Sequence, residues 1–195
     1  MNRHEITLDD IMDMGVYAHE RKDRRRAITE MKKDRRVAIG PDATFYFENY
    51  DTMFHQIHEM LHIERGGVAQ IKDELSAYNP LIPKGRELVA TLMFEIDDGD
   101  RREKFLAGLG GVEDTISITI DDEIIKGVPE ADVDRTSAAG KASSIQFLHF
   151  PFTDAQVEKF CRPDAHTVLA IGHDKYPHMT VLTQAARQAL AGDFD

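Results

Sequence analysis

From residue 88 to residue 172 the chain alternates short apolar runs with helical, polar stretches, and this rhythm limits its folds more than any other feature. Residues 88–96, 115–120, 144–150 and 167–172 are aliphatic or β-branched runs bounded by turn residues, which predicts strands. Residues 123–127 are expected to fold back beside the second of them. Residues 100–109, closed by Gly110-Gly111, and 153–160, opened by Thr153 or Asp154, have helical spacing with cap residues at their ends. The order β-α-β-β-α-β predicts a ferredoxin-like sheet, two split βαβ units side by side. Residues 131–141 are small and polar and read as loop, and residues 181–190 as a closing helix.

The first 84 residues extend this plan. Thr7 with Asp10 has the form of a helix start, and a short helix through Met14 is expected to break at Gly15. A basic helix follows over residues 17–33, with Ala18, Ile28 and Met31 as its few apolar anchors. Residues 36–39 and 44–48 read as strands joined by Gly40-Pro41-Asp42-Ala43, a hairpin. Asn49 or Asp51 caps a helix that Gly66-Gly67 ends or bends, after which Val68, Ile71, Leu75 and Tyr78 continue at helical spacing. The prolines of Asn79-Pro80-Leu81-Ile82-Pro83 then force an extended loop. The expected fold is therefore α+β, one continuous domain over residues 1–195: an N-terminal helical and β-hairpin extension (1–84) on a ferredoxin-like part (85–195).

The 42% hydrophobic content suffices for a packed core, and the 30% charged content is mixed in sign. A net charge of −11 argues against nonspecific nucleic-acid binding by the whole chain. Residues 21–36 nevertheless carry +6, which leaves −17 elsewhere. Such a layout suits an anionic ligand, an acidic partner or, the reading favoured here, the chain's own acidic half. A single cysteine, Cys161, excludes an internal disulfide and a thiolate cluster. The start lacks the apolar core of a signal peptide, and no apolar run approaches the roughly 20 residues that span a bilayer. A cytoplasmic protein without membrane contact is expected.

Chemistry concentrates in residues 51–65, where three histidines and two glutamates share one helix. At about 100° per residue, His58 and His62 lie within roughly 60° of His55, and Glu59 within about 40° on the other side. Met53, Phe54, Ile57, Met60, Leu61 and Val68 take the opposite half. The histidines are thus expected on a polar face turned to solvent, a cleft or another copy of the chain. Glu64 is expected in the apolar half, where a carboxylate needs a partner or a proton. Glu59-Met60-Leu61-His62 has the Glu-x-x-His spacing of di-iron bundles, but no second copy accompanies it. The histidines are either metal ligands or simply solvated. His173-Asp174-Lys175-Tyr176-Pro177-His178 follows the last expected strand, and loops at strand ends carry much binding chemistry. It is either a second source of ligands or a polar turn, and His149 faces it only if strand register allows.

Several motifs are absent. Gly108-Leu109-Gly110-Gly111 closes a helix instead of opening one and has no P-loop lysine. Residues 141–147 lack the aromatic pattern of an RNA-recognition strand, and Ser143-Ser144 does not form a nucleophile elbow.

Longer stretches resemble a bacterial family catalogued as domain of unknown function 3501. They are Lys33-Asp34-Arg35-Arg36-Val37-Ala38-Ile39-Gly40-Pro41, Phe47-Glu48-Asn49 with Thr52-Met53, and Gln56-Ile57 with Glu59-Met60-Leu61. Ile63-Glu64-Arg65, Glu74-Leu75, the Tyr78-Asn79-Pro80-Leu81-Ile82-Pro83 loop, Ala90-Thr91-Leu92-Met93 and the strand from Ser143 to Phe150 fit as well. The resemblance implies no activity. It implies a setting beside rubrerythrin-like and iron–sulfur proteins, hence redox or oxidative-stress work by association. The family pattern asks for Gln56, Glu59, Glu64 and the Tyr-Asn-Pro loop, and does not ask for histidine at 55, 58 and 62. Its His-Pro-x-Tyr run is matched by His173 and Tyr176 without the proline.

Two functions follow. The first is an accessory or binding protein, for a redox or iron–sulfur partner or a small anionic ligand, with Arg35, Arg36, Glu64, Tyr78 and Asn79 as the binding set. The second is a metal-dependent enzyme in which His55, His58, Glu59, His62, His173 and His178 supply ligands to iron or zinc. A plainer third is a subunit whose histidine face joins copies into a homo-oligomer.

Overall fold

The computed structural model describes residues 3–130 and 141–195, so the loop expected over 131–141 lies, but for Lys141, outside the described residues. After a short 3₁₀ turn at Leu8–Asp10 comes helix α1 (Met14–Met31). Asp13 caps it, accepting from the Gly15 and Val16 amides at 2.9 and 3.1 Å. Gly15 therefore sits in the first turn of α1 and does not break it. A 3₁₀ turn, Lys32–Arg35, leads into the hairpin of β1 (Arg36–Ile39) and β2 (Ala43–Glu48). Gly40 takes φ +65° in its turn, and a Cβ there would meet His178 and the Tyr176 hydroxyl at 2.6 Å. Two helices follow, α2 (Tyr50–Glu64), capped by Asn49, and α3 (Gly67–Tyr78).

The remaining elements are β3 (Glu87–Phe94), α4 (Gly99–Ala107), β4 (Ile116–Ile120), β5 (Glu123–Lys126), β6 (Val128–Pro129) and β7 (Ile145–Pro151). They continue as α5 (Asp154–Cys161), β8 (Thr167–Ile171), β9 (His178–Val181) and α6 (Gln184–Ala191). The strands form two antiparallel sheets: β1-β2-β3-β7-β6 and β5-β4-β8-β9. Mixed α+β architecture is as expected; the single ferredoxin-like sheet is not. Of the four strands that were to build it, β3 and β7 pair with each other, and β4 pairs with β8 in the other sheet. Local pattern is blind to this choice, because each strand carries one apolar face whichever neighbour it finds. Strand β2 pairs with β3 across residue 84, so the hairpin and the later strands share one sheet.

Alternation along the strands builds the core between the sheets. Val37, Ile39, Phe45, Phe47, Leu88, Ala90, Leu92, Leu148 and Phe150 point from the first sheet toward Ile116, Ile118, Ile120, Leu169 and Ile171 of the second. Helices α4, α5 and α6 close it with Leu106, Phe160 and Leu190. A second, smaller cluster lies on the outer face of the first sheet, where Met53, Ile57 and Leu61 of α2 meet Val89, Ile6 and Ile82. Helix α1 packs on α2 from outside and contributes few apolar groups of its own. Among the described residues no helix is long and apolar enough to cross a membrane.

Candidate functional site

Helix α1 is too polar to be held by oil, and a line of polar contacts holds it against α2. Tyr17 is fully buried and donates its hydroxyl to Glu59 Oε1 at 2.8 Å. Arg21 grips the same carboxylate with both arms of its guanidinium, Nε to Oε1 and Nη2 to Oε2, each at 2.8 Å. A planar fork on a planar carboxylate is the strongest such pairing available to side chains. The Arg21 hydrogen bonds, with help from Tyr17 and against partial burial, hold the Glu59 carboxyl down to about 2. Burial and the adjacent Glu59 push the Tyr17 phenol up. His55, half-buried beside the Tyr17 hydroxyl at 3.4 Å, is pulled down by burial.

The three histidines do not share one solvent-facing surface. His58 is fully buried, between the rings of Phe54 and Tyr17 at 4.0 and 5.1 Å. Its Nε2 accepts from the Met12 amide at 3.1 Å, so its Nδ1 carries the hydrogen and donates to the Phe54 carbonyl at 2.7 Å. Burial accordingly holds its pKa below the usual value. The polar face exists, but α1 covers it, and His58 pins the segment before α1 to α2. Glu64 is the converse correction: it is exposed and accepts from Gln70 Nε2 at 3.0 Å. The expected burial assumed one helix running on to Val68. Instead α2 ends at Glu64, Arg65 turns left-handed at φ 57°, and α3 starts on a new axis.

The six expected metal ligands do not converge. Both Glu59 oxygens are held by Arg21 and Tyr17, and both His58 nitrogens by backbone. His173 and His178 belong to the β8–β9 hairpin beyond the first sheet, where Nδ1 of His173 accepts from the Lys175 amide at 3.2 Å. There Tyr176 locks the two hairpins together. Its hydroxyl donates to the Ile39 carbonyl at 2.8 Å and accepts from the Asp42 amide at 3.0 Å. The His178 ring lies against the Tyr176 ring, tilted by 36° with centroids 4.2 Å apart. Among the described residues no three histidine, cysteine, aspartate or glutamate side chains gather as a metal ion requires. His149 does not face this loop either. Nδ1 meets Glu87 at 2.9 Å and Nε2 meets Glu130 at 2.7 Å, and these two carboxylates, Glu87 the larger influence, raise its pKa against the effect of burial.

The expected anion-binding set is likewise dispersed. Arg35 is buried, its guanidinium forked onto Asp193 just past α6, with the Nη1 contact at 2.9 Å. This pair floors a cavity of about 370 Å³ that Arg3, Asn49, Tyr50 and Asp51 also line. Arg36 lies outside, its guanidinium 5.1 Å from the centre of the Tyr46 ring. Asn79 is spent on the N-terminal segment, exchanging hydrogen bonds with the Ile6 amide and carbonyl at 2.8 and 2.9 Å. Tyr78 accepts from Gln56 at 3.3 Å. Glu64 contacts none of these.

What residue-by-residue reading missed is the outer face of α1. A groove of about 660 Å³ runs along it, lined by Arg21, Lys22, Arg25, Arg26, Thr29, Glu30, Lys33 and, from α2, His62. Arg26 pairs with Asp23 along the helix, and Lys33 of the following 3₁₀ turn pairs with Glu30. Lys22 and Arg25 have no carboxylate partner among the described residues. The +6 run was the signal; which of its members turn outward depends on the contacts of α1.

Comparison with known proteins adds a family and a fold. A family model described as protein of unknown function (DUF3501) matches residues 5–194. The crystal structure of a novel protein of unknown function from Burkholderia pseudomallei is similar at a TM-score of 0.90 and 34% sequence identity, covering 97% of this chain and 99% of that one. No curated protein matches.

Proposed function

The chain belongs to the DUF3501 family, and from that premise we propose that it acts as an accessory binding protein whose recognition surface is the outer face of α1. One observation carries this reading: the groove beside α1 gathers Arg21, Lys22, Arg25, Arg26 and Lys33, and two of these, Lys22 and Arg25, have no carboxylate partner among the described residues. In a chain of net charge −11, leaving cations together instead of pairing them with the acidic excess favours an acidic partner and speeds its approach. The redox or iron–sulfur partner implied by the resemblance would meet the chain here. Arg21 differs from its neighbours, because its commitment to Glu59 makes it part of the groove's wall.

Backbone amide NMR with a glutamate-rich peptide as probe tests this. Shifts are expected to concentrate on α1 around Lys22 and Arg25, and to fade as salt rises, since exposed charge contacts are screened over about 10 Å at 0.1 M. Shifts spread over the whole surface, or centred on the Arg35–Asp193 cavity, would overturn it.

A further inference from the structure

A second groove, of about 530 Å³, opens between the start of α1, the end of α2 and α3. Its walls are apolar, formed by Ile11, Met14, Leu61, Val68 and Ile71. Val68 is 73% exposed, a β-branched side chain left in water on the rim. His62 and Arg65 also line it. Arg65 has no carboxylate partner among the described residues. It also occupies the left-handed position that closes α2, φ 57°, where a glycine would be relaxed and an arginine is strained. That strain points the search for a role to its side chain.

Volume and lining match small-molecule sites, which hold about 300–1,000 Å³ and combine apolar walls with a few placed polar groups. The charge at the rim chooses the ligand. A neutral hydrophobe would use the walls and leave Arg65 idle; a purely ionic one would leave the walls wet. We propose that this groove binds an apolar monoanion, a medium-chain carboxylate, with its tail along Met14, Leu61, Val68 and Ile71 and its head at Arg65 and His62. This site is separate from the acidic-partner surface, which it adjoins at Ala18 and His62.

Calorimetric titration of the whole chain with octanoate, decanoate and dodecanoate, each below its micelle concentration, tests the proposal. Affinity is expected to rise about three- to fourfold per added methylene until the groove is filled, as burial of aliphatic surface requires. Decanol is expected to bind about tenfold more weakly than decanoate, because it lacks the charge-assisted contact. Val68→Asp and Arg65→Gln are each expected to weaken decanoate about tenfold while melting as wild type does, both positions being exposed. Affinity independent of chain length, or unchanged in both variants, would overturn the site. Lys22→Glu with Arg25→Glu is expected to keep decanoate binding, so failure of the acidic-partner surface and failure of this groove are read separately.

Discussion

The two ends of one basic segment behave oppositely. At its C-terminal end Arg35 is buried with Asp193, each side chain 5% exposed, and ties the strand start to the end of α6. Along α1, Lys22 and Arg25 stand in water with no carboxylate partner among the described residues. Arg21 lies between these extremes, 29% exposed and forked onto Glu59. Basic residues one to fourteen positions apart thus do different work, and partner geometry decides which. A buried guanidinium must be paired, because desolvating it alone costs several kcal/mol. An exposed one is free to wait for a ligand, since surface pairs contribute only about 0–1 kcal/mol.

The sharpest break of this contrast is Asp193→Ala, which leaves the Arg35 charge buried and unpaired. A loss of about 3–5 kcal/mol in denaturant unfolding is expected, and a smaller one when Arg35→Met is combined with Asp193→Leu. Next comes Glu59→Gln, with about 2 kcal/mol lost at neutral pH. Because the folded carboxyl titrates near 2 instead of 4.5, its contribution is complete above the ordinary value and disappears as pH falls toward 2. Wild type and variant should therefore converge in acid. His149 extends the comparison to a clamp of opposite sign. Its pKa is raised, so what it adds is full below 6.5 and is lost as pH climbs through the folded value. His149→Ala is expected to cost about 1 kcal/mol at pH 5.5 and less at pH 8.5, read from urea midpoints at the two values. At the small end, Glu64→Leu should shift stability by no more than about 0.5 kcal/mol, since the carboxylate it removes is already in water.

Much of the fold was legible because local chemistry sets it. The β1–β2 hairpin, the Asn49 cap of α2, the cap of α5 by Thr153 and the helix stop after α4 all rest on short-range rules. Sheet assignment was not legible, since nothing within β4 says that it will pair with β8 and not lie beside β3. Short β9 turns its apolar residues, Met179 and Val181, to the exposed face, so no buried stripe marks it. The site divides the same way. The helical wheel of α2 grouped the histidines with Glu59 correctly in angle. It lacked α1, which covers that face and turns His58 into a staple. Glu64 went wrong through one residue, Arg65, whose left-handed turn moved Val68 and the apolar stripe onto another axis. The charge of residues 21–36 was visible in the sequence, but sorting its members needed Glu59 and Asp193 in place.

The division of that segment is tested most directly by Lys22→Glu combined with Arg25→Glu, measured twice on one preparation. Thermal unfolding is expected to match wild type, while fluorescence anisotropy with the glutamate-rich peptide shows binding lost. A variant that unfolds early, or one that binds the peptide as well as wild type, would contradict the account.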